Sequence, residues 1–170
     1  TETSLASFAP GDGRNTGLSL KIPGVDDRII IFYRSVYPAF FEQFNLKPIA
    51  GRLLDDAHPN DRTIFIDDPD SLEEQRLNVV INEAAVMTLG FGTPDNAIGK
   101  VYYRGRENQI VNTVVGVIPN VHFGSPRSEL DGEILMYIPA DVNTLLVSYE
   151  TDRYQDVTKQ IELKIQEMFP

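Results

Sequence analysis

VYPAFFEQFNLKPIAGR, residues 36–52, is the stretch on which the reading of the fold turns. Pro38 suits the first position of a helix, where its missing N–H costs nothing. Phe40, Phe41 and Phe44 then recur on one face, which predicts a short helix to about Phe44 with its aromatics in the core. A brief apolar run follows and closes on Gly51-Arg52. This helix interrupts text that otherwise reads as strand.

Upstream, residues 4–9 read as a strand closed by the turn residues Pro10, Gly11, Asp12 and Gly13. Residues 16–22 alternate Leu18, Leu20 and Ile22 with Gly17, Ser19 and Lys21, the period of a strand with one buried face. Residues 28–33, RIIIFY, are β-branched and aromatic and predict a buried strand.

Downstream, residues 52–75 turn acidic, with a short strand expected at 63–66. LNVVI at 77–81 is a strand, and Asn82 is placed to cap a helix over 83–89 that ends at Gly90. GTPDNAIGK reads as turn and loop. Residues 101–104 and 109–118 form a hairpin around Gly105. Strands follow at 133–138 and 144–150. The last helix has the clearest pattern: Tyr154, Val157, Ile161, Ile165 and Met168 recur at spacings of three and four, behind an Asp152/Gln155 capping pattern. Strands, a short helix, more strands and one long helix make an α+β chain and argue against a regular βαβ alternation.

The chain has 170 residues, 42% apolar, enough for a packed core. Its 15 basic residues stand against 25 acidic ones, a net charge of −10. That balance argues against nucleic acid and against anionic lipid as partners. With no cysteine there is no disulfide, thiol nucleophile or cysteine-held zinc. No apolar run approaches the ~20 residues of a membrane span, and no leader is evident. The chain begins on strand-like text and stops at MFP, so a piece of a larger protein is expected.

Catalytic patterns are missing. Only His58 and His122 could serve a serine triad, and the nearest approach to a nucleophile elbow is FGSPR around Ser125. PGDGRNTG lacks the lysine of a phosphate loop and precedes a strand, whereas phosphate cradles open a helix. DDPDSLEE at 67–74 offers carboxylates but not the spacing or mid-loop glycine of a calcium loop. His58 lies near Asp55, Asp56 and Asp61, yet one histidine without a helical partner is a poor zinc pattern. No catalytic, cofactor or metal residue is nominated, and no enzyme is expected.

Five phrases occur together in order: VYPAFFEQFNLKPIAGR, VVINEAAVMTLGFG, AIGKVYY, NTVVGVIPNV, and ILMYIP with the closing LLVSYETDRYQDVTKQIELKIQEMF. Over residues 36–170 this resembles the MacB-like periplasmic core domain of bacterial ABC transporter permeases of the FtsX/MacB type. The resemblance implies two lobes. Residues 1–50 and 140–170 would form a porter-like βαβ lobe, and residues 51–139 a mostly β lobe inserted in it. It implies a periplasmic domain of an inner-membrane protein, joined by flanking transmembrane helices to an ABC ATPase subunit or domain. A periplasmic adaptor or lipoprotein is the further partner it suggests. The function implied is coupling of ATP-driven membrane motion to export or extraction of substrate, with no cofactor. The final helix would be the lever, docked by Tyr154, Val157, Ile161 and Ile165. An extracytoplasmic ligand- or metal-sensing domain is the alternative.

Overall fold

The computed structural model describes residues 2–11, 16–63, 75–105, 107–121, 123 and 131–168. Strands β1 (Glu2–Ala6), β2 (Thr16–Lys21) and β3 (Arg28–Ser35) lead into helix α1 (Ala39–Gln43) and the two-residue strand β4 (Ala50–Gly51). Next come β5 (Gln75–Asn82), α2 (Glu83–Thr88), α3 (Pro94–Ala97), β6 (Val101–Arg104) and β7 (Ile110–Ile118). The chain finishes with β8 (Glu133–Met136), β9 (Thr144–Ser148) and α4 (Tyr154–Met168). Single 3₁₀ turns at Pro139–Asp141 and Thr151–Arg153 flank β9. Mixed helix and strand in this order is the α+β class that the sequence predicts.

The large sheet runs β4-β7-β5-β8-β3-β2-β6, and β6 pairs back onto β7. Six strands therefore close into a ring, with β4 attached outside it along β7. The ring mixes directions: β5 is parallel to β7 and β3 to β8, while β2–β3, β5–β8 and β6–β7 are antiparallel. Its narrowest joint is β2–β6, paired at Lys21 and Tyr103. Closure removes the open edges that a flat sheet exposes to stray strands.

Alternation along the strands separates two cores. Val79 and Ile81 of β5 and Ile134 and Met136 of β8 join Leu20, Ile31, Tyr102 and Val114 inside the ring. Between them Val80 and Leu135 point outward, into a second cluster with Val36, Phe40, Phe41, Phe8 and Phe123. The outer cluster is where the opening phrase earns its aromatics. Phe40 is fully buried and meets Phe8, Phe41, Phe44 and Phe123 at ring separations of 4.6–6.2 Å. Arg34 is buried beside it, 4.3 Å over the Phe8 ring and 2.8 Å from Glu133 Oε1, which binds β3 to β8 across the parallel pair.

A second, two-stranded sheet joins β1 to β9 over Glu2–Ala6 and Thr144–Ser148. It brings together strands from the first fifty residues and from beyond residue 140. β2 and β3, also within the first fifty residues, are hydrogen-bonded into the ring with β6 and β8. The 50/51 boundary therefore does not coincide with a break between sheets. The physical reason is that β3 supplies buried residues to both faces: Ile31 inside, and Arg34 outside.

Asn82 is the joint between β5 and α2. Its Oδ1 accepts from the N–H groups of Ala85 (2.8 Å) and Glu133 (2.9 Å), and its Nδ2 donates to the Asp131 carbonyl (2.9 Å). One side chain thus caps a helix and fastens the start of β8. Asn82→Ala is expected to cost about 2 kcal/mol, the upper range for a lost cap, because two buried N–H groups lose their acceptor. The urea midpoint checks this.

Candidate functional site

Residues 52–61 fold into a loop around one carboxylate. Arg52 leaves β4 and reaches Asp61 with both terminal nitrogens, Nη1 to Oδ2 at 2.6 Å and Nη2 to Oδ1 at 2.9 Å. Asn78 Nδ2 donates to Oδ1 at 2.7 Å, and the Asp55 N–H donates to Oδ2 at 2.9 Å. Asp61 has no exposure to solvent. Burial pushes its carboxyl upward, but Arg52, Asn78 and the Asp55 amide outweigh it and hold the pKa below the ordinary value. The Gly-Arg that closes the opening phrase is thus a structural clasp: Gly51 lies against β7 with φ at +68°, and Arg52 fixes the loop that follows.

Asp55, His58 and Asp61 are the one group among the described residues whose ligand atoms cluster as a metal site requires, all within 4.8 Å. Their hydrogen bonds assign them otherwise. Both Asp61 oxygens already face a guanidinium, an amide NH₂ and a backbone N–H. Asp55 Oδ1 takes the His58 ring Nδ1 at 2.7 Å and the N–H groups of Ala57 and His58. That side-chain bond from His58 is the main cause of the lowered Asp55 pKa. A cation here would displace Arg52 from its partner, so the donor set does not fit one. The carboxylates at 67–74 and His122 and Ser125 lie outside the described residues.

The other candidate surface is made by α4. On the two-stranded sheet, Ser4 and Ala6 are buried on one side, and Ser4 Oγ donates to Gln43 Oε1 of α1. Thr3, Leu145 and Val147 face the opposite side, where Val157, Gln160, Ile161, Lys164 and Ile165 complete a groove of about 530 Å³. The four docking residues expected from periodicity divide here. Val157 is buried and Ile161 half-buried, whereas Tyr154 and Ile165 are more than half exposed. The helix is seated through Val157 and Ile161 in its first half, whereas Ile165 and Leu145, which share the groove, are both more than half exposed. Nothing in the heptad-like spacing distinguishes a face that is covered from one that is only coverable. Val157→Ala is expected to lower stability by about 1–2 kcal/mol, and Ile165→Ser by less than about 0.5 kcal/mol. Thermal melts of the two variants side by side check the split.

No sequence-family model and no curated protein matches the chain. Solved structures do, among them the following three. The chain overlays 99% of its length on 72% of a domain assigned to a permease protein of Porphyromonas gingivalis, at 14% identity and TM-score 0.55. It overlays 81% of its length on 48% of the periplasmic region of MacB from Actinobacillus actinomycetemcomitans, at 16% identity and TM-score 0.47. It overlays 91% of its length on 88% of the extracellular domain of the ABC-type transporter YknZ from Gram-positive bacteria, at 13% identity and TM-score 0.49. The chain thus spans about half of the MacB region it matches. At these identities the likeness is one of fold. Among the described residues no helix is long and apolar enough to cross a membrane. The chain carries the fold of that Porphyromonas gingivalis permease-protein domain, the class of protein to which its five ordered phrases point.

Proposed function

We propose that this chain is the extracytoplasmic domain of an ABC transporter permease, a passive body that passes ATP-driven membrane motion to partner contacts during export or extraction of substrate. The observation that carries the reading is the overlay of nearly the whole chain on the Porphyromonas gingivalis permease-protein domain. One feature of the fold supports it: β1 and β9 are antiparallel neighbours with Glu2 opposite Ser148, so the chain enters β1 and leaves β9 at the same end. A domain hung from two membrane helices needs that arrangement. The ATPase belongs to a separate cytoplasmic partner, and α4 is the element through which movement enters.

The test is the parent coding sequence. Apolar stretches of about 20 residues are expected on both sides of this chain. Polar flanks on both sides would remove the reading. In the whole transporter, Val157→Asp unseats α4 by burying a charge. ATP hydrolysis is then expected to continue while transport is lost. Transport unchanged in that variant, with the protein still in the membrane, would exclude coupling through α4.

A further inference from the structure

We infer that the ring interior holds a small monovalent anion between Arg104 and Tyr102. The two residues sit two apart on β6, so both point inward. Tyr102 is fully buried and Arg104 only 7% exposed. Arg104 Nε donates to Asn112 Oδ1 at 3.2 Å, while its Nη2 and the Tyr102 hydroxyl have no hydrogen-bond partner in the protein. The two open groups do not bond each other, although they share one face of one strand.

Buried polar groups nearly always find partners, and a buried guanidinium with an open N–H is among the costlier exceptions. Both open groups can donate. Asn112 Oδ1 already accepts from Arg104 Nε, and Asp141, which accepts from the Tyr33 hydroxyl at 3.1 Å, acts on Arg104 through space without an ion pair. No carboxylate among the described residues comes within ion-pair distance of Arg104. Burial alone pushes the Arg104 pKa down, with Tyr102, Tyr33 and Asp141 opposing it more weakly. An acceptor carrying one negative charge satisfies both donors and neutralises the cation. Tyr102 lies among Leu20, Ile31 and Ile134 in the same interior, apolar surroundings that offer its hydroxyl no acceptor.

Melting the full chain in sodium chloride, sodium bromide or sodium gluconate at equal ionic strength tests this. Chloride or bromide at ten times its Kd is expected to raise Tm by about 3–6 °C over gluconate. The gain should vanish in Arg104→Met and shrink in Tyr102→Phe, which keeps the test open if the first variant does not fold. A bromide-soaked crystal should show the ion within hydrogen-bond distance of Arg104 Nη2 and Tyr102 Oη. Equal melting in all three salts, an equal halide gain in both variants, or a water molecule at that position would overturn the inference.

Discussion

Gly116→Ala is expected to destabilise the protein by about 3 kcal/mol, the upper end of what overpacking costs. The cause is room, not backbone preference. Gly116 faces Gly51 across the β4–β7 pair, and a methyl group there runs into the Arg52 carbonyl. Val80 Cγ2 stands 3.3 Å away on the other side, so the new atom has no direction in which to yield. β4 must lift off β7, taking the Arg52 clasp with it. Gly90→Ala is the control. Gly90, unlike Gly116, takes a left-handed conformation, φ +69°, but nothing lies near its missing side chain. It should cost only the backbone strain, about 1 kcal/mol. Urea midpoints for the two variants should therefore differ severalfold in their shifts. Equal shifts would mean that the β4–β7 contact is looser than the structure shows.

Asp61→Ala is expected to cost about 3 kcal/mol as well. It strips the acceptor from Arg52, Asn78 and the Asp55 amide at once. The estimate sits at the low end for a broken buried pair because Arg52 is one-third exposed and regains water. The same carboxylate makes stability depend on pH. Its folded pKa lies below its unfolded value near 4, so its contribution is complete above that value. It fades as pH falls through the lower, folded pKa. The wild-type urea midpoint should accordingly decline below about pH 4, and this decline should be shallower in Asp61→Ala. A variant that follows the wild-type pH curve would show that another acid governs the acid limb.

Local elements were legible because local chemistry makes them. Asn82 reads as a cap and is one; Gly90 reads as a helix stop and takes the left-handed conformation; the hairpin around Gly105 pairs as β6 with β7. Pro38 lies at the N-cap of α1, one position before the first turn where its fixed φ suits it. The shortest elements escaped, β4 and the 3₁₀ turns among them. GTPDNAIGK contains the four-residue α3, for which Thr93 was the available signal: its hydroxyl accepts from the Asn96 N–H at 3.3 Å. Asp152 lies within the 3₁₀ turn before α4 instead of capping it. The ring closure was invisible because it depends on Lys21 meeting Tyr103 across more than eighty residues, and no periodicity encodes that pairing. The clasp was equally hidden. Arg52 and Asp61 were both in view, one as the end of a phrase and the other as one more acid in an acidic stretch. Only burial separates a structural carboxylate from a solvated one.

The pairing of β1 with β9 has a mechanical consequence. Glu2 lies opposite Ser148, so a pull applied to the chain at Glu2 and at Ser148 acts on one end of the pair. Such a pull loads the rungs one after another, like a zip, instead of all together. The five-pair ladder should peel under modest force while the sealed ring, with no loose rim, stays whole. A force-extension trace would then show a small early rip and a separate later one; a single rip would mean that the two sheets yield together.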